Sequence, residues 1–152
     1  MKKLTSSIAL LALCVMIVFV SNVNSAGKQF GKISLPLGKV EVQSFGSDTW
    51  EKAKPNRPVF EGDIIRTAAK SRAEIALKGG GKIRLGEKTE LELNEANVKP
   101  MTKNFKVNLK KGNVFVSAKA AFGEKKNIQL RTPTAVAAIR GTKYRAKAGE
   151  DE

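Results

Sequence analysis

Two groups of charged side chains in this 152-residue sequence have types and spacing that could do chemistry. The first is basic: Arg140, Lys143, Arg145 and Lys147. The last three alternate, so on a strand they would line one face and form a basic rail for an acidic partner. Like charges on one strand face repel unless something offsets them. Arg140 stands between the small apolar run Ala135 to Ile139 and Gly141. Its head either snorkels to solvent, pairs with a buried carboxylate or meets a ligand, and its place beside a turn favours a structural role. The second group is the carboxylate pair Glu90 and Glu92, two residues apart on the solvent side of a strand and flanked in sequence by Lys88 and Arg84. A solvated stripe of mixed charge explains these better than a general acid and base. Lys103 to Lys111, with four lysines, is a further dense basic stretch.

Other reactive chemistries are excluded by composition. There is no histidine, so no Ser-His-Asp triad and no histidine metal site can be built. Cys14 is the single cysteine and lies in the N-terminal apolar segment, which removes thiol catalysis, zinc fingers, iron-sulfur ligation and disulfides from the rest of the chain. Thr67-Ala-Ala-Lys70 is an unsupported threonine version of a nucleophile-lysine pair. Gly79-Gly-Gly-Lys82 lacks the Ser/Thr and the earlier glycine of a phosphate loop and reads as a hairpin. The expectation is a protein that is not an enzyme, with no catalytic, cofactor-binding or metal residues.

The elements that must position the rail are short alternating stretches. Lys39 to Gln43, Arg72 to Leu77, Lys82 to Leu85, Thr89 to Leu93, Phe105 to Leu109 and Val114 to Val116 each put one face in a core and the other in water. Gly79-Gly-Gly81, Gly86-Glu-Lys88 and Lys110-Lys-Gly-Asn113 separate them at hairpin or corner lengths. Thr132-Pro-Thr134 ends a strand through Ile128 to Arg131, because proline removes a donor. Prolines 55, 58, 100 and 133 oppose helix. Ile75, Ile83 and Leu91 recur every eight residues, which fits either a sandwich meander or a solenoid-like roll. Trp50, the one tryptophan, is expected to plug the core beside the Pro55 loop. Residues 26–31 and 146–152 read as frayed ends.

The string Leu130-Arg-Thr-Pro-Thr-Ala-Val-Ala-Ala-Ile-Arg-Gly-Thr142 resembles the closing signature of the FecR domain, an extracytoplasmic bacterial module. Gly38 to Val42, Trp50, Phe60 to Thr67, Ser71 to Leu77, Gly81 to Leu85 and Lys111 to Val116 follow that family's order. The resemblance tips the fold towards an all-β compact roll of short strands with solenoid-like stacking, a β-sandwich being the alternative. FecR-type regulators would also carry a cytoplasmic sigma-factor-interacting segment and a distal region that meets an outer-membrane transporter. Only Met1 to Ser7 precede the apolar segment, and the sequence runs ten residues past Thr142. Direct sigma-factor control is therefore not expected.

Lys2 and Lys3 followed by the apolar Ile8 to Val20 have the form of a signal peptide, too short for a comfortable membrane span. Cleavage is expected after Ser25 or Ala26, giving a signal helix within residues 1–26, a single domain over 27–152, and no stable span afterwards. A leucine before Cys14 argues against lipidation. Loss of Lys2 and Lys3 lowers the net charge from +14 to +12. Outside the cytoplasm such a charge attracts lipopolysaccharide, anionic lipid head groups or acidic wall polymers rather than nucleic acid. With few aromatics for base stacking, no nucleic-acid partner is expected. The function expected is a periplasmic or secreted binding module making protein-protein contact or signalling in the cell envelope. The alternative is a structural protein adhering to lipopolysaccharide or anionic wall polymer. The partner would be an envelope protein or such a polymer, and Arg140, Lys143, Arg145 and Lys147 its binding residues.

Overall fold

The computed structural model describes residues 27–120, 122–141 and 143–149. The expected signal helix and its cleavage bond lie outside the described residues. Twelve strands and no helix are present among those described: β1 (Gln29–Leu37), β2 (Val40–Gln43), β3 (Trp50–Lys52), β4 (Pro58–Phe60), β5 (Ile64–Thr67), β6 (Arg72–Leu77), β7 (Lys82–Leu85), β8 (Glu90–Val98), β9 (Thr102–Ser117), β10 (Lys125–Arg131), β11 (Val136–Arg140) and β12 (Lys143–Ala148). They join into one sheet that curls into a half-barrel around the core.

Strand alternation places one apolar row after another on the inside of the curl. Val42, Ile65, Leu91 and Leu109 are successive cross-strand partners along β2-β5-β8-β9, and all four are fully buried. Ile33, Ile75, Ile83 and Val116 form the matching row along β1-β6-β7-β9. Such directly opposed pairs each add a few tenths of a kcal/mol to about 1 kcal/mol beyond area burial. Phe30 of β1 and Phe105 of β9 join the two limbs, their ring centroids 5.0 Å apart. The interval of eight is thereby explained in part: Ile75 and Ile83 face each other across the Gly79-Gly-Gly81 hairpin, whereas Leu91 belongs to the other limb.

The spine is β9. Phe105–Leu109 and Val114–Val116, expected as separate strands, are one continuous strand of 16 residues. Lys110 to Asn113 bends it instead of turning it, with Gly112 at φ +91° and a register shift opposite Glu90 and Leu91. Positive φ is cheap only for glycine. The first half of β9 pairs with β8 and, in parallel, with β10; the second half pairs with β7 and β12. The bend is held by threonines: Thr89 Oγ1 accepts the Asn113 N–H at 3.0 Å, and Thr67 Oγ1 accepts the Thr89 N–H at 3.0 Å while donating to the Gly86 carbonyl at 2.6 Å. Thr67 is buried and committed to these bonds, so the Thr67–Lys70 pair is structural.

Three further expectations change. Trp50 does not enter the core; it lies half-buried at the edge of the sheet, with the Arg66 guanidinium 3.8 Å from the ring centre. The expected frayed ends carry strand: Phe30 is fully buried in β1, and Ala148 is buried at the end of β12. The small apolar run Ala135 to Ile139, whose composition suits a strand or short helical turn packed where nothing larger fits, forms most of β11, but only Ile139 is buried and Val136 is 55% exposed.

Candidate functional site

The strand β12 is held on one side by β9, with Lys143 opposite Ser117, Arg145 opposite Phe115 and Lys147 opposite Asn113. Ala146 and Ala148 face inwards, so alternation sends Lys143, Arg145 and Lys147 to the outer face, where all three are exposed. No carboxylate among the described residues pairs with any of them. The three form the rail that alternation implies. Arg140 stands apart from it. It ends β11, which pairs with β10 and not β9, and its register partner is Asn127. Its side chain is exposed and makes no ion pair among the described residues.

The acidic groups elsewhere are mostly occupied. Lys110 lies 3.6 Å from Glu90 and 3.7 Å from Glu92, so the carboxylate pair is bridged by a β9 lysine rather than by Lys88 or Arg84. Arg84 instead donates to Glu74 at 2.6 Å, which with Lys82 holds the Glu74 carboxyl below its ordinary value. Arg66 does the same for Glu41 through a 2.7 Å bond. Burial pushes Asp63 up although it accepts the Phe60 and Phe45 N–H groups, and that carboxylate shapes a turn. No cluster of three or more metal-ligating side chains exists among the described residues.

Sequence reasoning passed over a second surface, the outer face of the parallel β9-β10 pair. Register sets Asn104 beside Asn127, Lys106 beside Gln129 and Asn108 beside Arg131. Two depressions lie along it. One, about 550 Å³, is lined by Thr102, Asn104, Lys125, Asn127 and Arg140; the other, about 320 Å³, by Asn94, Lys106, Asn108, Gln129 and Arg131. The amide oxygen of Asn127 is buried and has no hydrogen-bond partner. Beneath the larger depression, Lys126 is buried and donates to the Gly79 and Lys119 carbonyls at 2.8 and 2.6 Å. Burial, then the nearby Lys103 charge, lowers its pKa. The signal was present in two strings, Thr102 to Asn108 and Lys125 to Arg131, which carry polar side chains at alternate positions. Their adjacency depends on a parallel pairing that spacing does not reveal.

No described helix is long and apolar enough to cross a membrane. Residues 63–152, more than half of the chain, match the family model described as FecR protein. The match begins just before β5; β1 to β4 lie upstream of it, and of these β1 and β2 pair with strands of the matched region. No curated protein and no solved structure matches the chain.

Proposed function

Because the chain belongs to the FecR protein family, whose members are envelope-associated, we propose that it is a non-enzymatic, exported binding module that makes protein-protein contact or relays a signal in the bacterial envelope. The observation that carries this reading is the rail: three exposed cations on one face of an edge strand, with no carboxylate beside them among the described residues. Lysines on an edge strand also discourage self-pairing. An acidic extended segment of an envelope protein satisfies both features, adding main-chain hydrogen bonds to the free side of β12 and carboxylates to the rail. The signal peptide read from residues 1–26 delivers the domain to the periplasm or beyond.

The test is cross-linked capture of partners from the native envelope, washed at low and high salt. A discrete protein retained at high salt by wild type, and lost from a folded Lys143→Glu/Arg145→Glu variant, supports the reading. Recovery of polymer alone, released by salt, overturns it, since purely electrostatic adhesion fades as the Debye length shrinks.

A further inference from the structure

The outer face of β9, β10 and β11 has a composition unlike the rest of the surface. Its rows run Asn104-Asn127-Arg140, Lys106-Gln129-Ala138 and Asn108-Arg131-Val136. Paired residues share a face of the sheet, so these nine side chains lie together. Carboxamides occupy the middle, each offering both a donor and an acceptor. Cations stand at the two ends, Lys125 and Arg140 at one and Arg131 at the other, and none of the ion pairs among the described residues involves them. Lys106 is matched by Glu95, and Glu124, at the rim of the larger depression, by Lys103.

We propose that this face is a binding groove for a linear acidic polysaccharide. Three features select that occupant. Arg140 and Arg131 belong to rows separated by four residues of β10, about 13 Å along a strand, which spans a couple of pyranose rings and matches acidic groups on alternate sugars. Between them the amides of Asn104, Asn127, Asn108 and Gln129 line the two depressions and suit hydroxyls. The apolar side chains that β11 adds to this face are Ala138 and Val136, shallow enough for the C–H face of a sugar ring. None of the nine described side chains in these rows is an aromatic anchor of the kind that dominates protein interfaces. Arg140 thus belongs to this groove rather than to the β12 rail, and the groove stands independently of the rail's function.

Titration calorimetry at about 150 mM salt, where surface steering is largely screened, tests the proposal with defined probes. These are hyaluronan oligosaccharides, which carry a carboxylate on alternate sugars, neutral dextran oligosaccharides, and poly-glutamate of equal charge. Wild type is expected to bind hyaluronan saturably and well above both controls. Arg131→Ala/Arg140→Ala should weaken binding by about tenfold or more, the loss of at least one charge-assisted hydrogen bond. Asn127→Asp, which sets a carboxylate in the floor, should also weaken it, while Lys143→Ala/Arg145→Ala/Lys147→Ala should bind as wild type. Thermal melts establish that each variant is folded. Absence of hyaluronan binding, equal binding of poly-glutamate, or loss only in the rail variant overturns the proposal.

Discussion

Replacing Gly112 by alanine should cost more stability than any surface glycine substitution, and the structure separates the reasons. At φ +91° an L side chain carries a backbone penalty of roughly 1–2 kcal/mol. The added Cβ would also fall within contact distance of Thr89 Oγ1 and lie 2.5 Å from Thr89 Cα and 2.8 Å from the Lys88 carbonyl oxygen. Two of these three are backbone, so the turn before β8 must move. That motion breaks the bonds of Thr89 Oγ1 with Asn113 and Glu87, each worth about 1 kcal/mol. The total is about 3–4 kcal/mol, a drop in melting temperature of roughly 10–15 °C for a domain near this size. Gly46 supplies the comparison: its φ is +75° and nothing lies within 4 Å of its would-be Cβ. Gly46→Ala should therefore show the backbone penalty alone, about 1–2 kcal/mol. Urea unfolding of both variants reads the difference directly. If Gly112→Ala costs no more than Gly46→Ala, β9 does not bend against Thr89 as described.

Lys126→Met should destabilise the domain by about 3 kcal/mol, because two charge-assisted bonds vanish and two carbonyls lose their donor; chemical denaturation measures it. Arg66→Ala should shift Trp50 fluorescence to the red and cost about 1 kcal/mol, since the guanidinium covers the ring; an unchanged emission maximum would show that no such cover exists in solution. Acid should weaken the fold through Glu41 and Glu74. Their folded pKa values lie below the ordinary 4.5, so the stability they contribute is whole above that value and is lost as pH falls through the folded ones. Asp63, raised above 3.8 by burial, acts in the opposite sense, its contribution being lost as pH rises through its folded value. Glu41→Gln/Glu74→Gln should accordingly flatten the fall in urea midpoint between about pH 5 and pH 3.

Alternation was a sufficient guide to the existence of most strands, because each has one wet face and side chains change sides at every residue. The elements that misled were those where one residue type serves two geometries. Glycine at 112, beside Lys110, Lys111 and Asn113, has the composition of a hairpin or a corner, and only the partners on either side of β9 make it a bend in a strand. Trp50 has the area of a core plug, but a cation over its face and a place on an edge strand satisfy it at the surface. The small run before Arg140 has the composition of tight packing. It lies instead at the open edge of β11, where small side chains keep a surface shallow.

The same distinction separates the two candidate surfaces. Lys143, Arg145 and Lys147 are neighbours in sequence, so strand periodicity alone assembles them. Asn104 and Asn127 are 23 positions apart and meet only because β10 returns parallel to β9. A parallel pair needs a crossover, and the chain makes it by using the second half of β9 as part of that path, after the bend at Gly112 has carried it into the other limb. The bend that hides β9 from periodicity is thus also what brings β10 alongside its first half. Loosening it should disturb the amide face while leaving the local alternation of β12 intact. A partly bent variant that keeps its fold, such as Thr89→Val, which removes the hydroxyl that holds the bend, would then weaken glycan binding before it weakened any contact made by the rail.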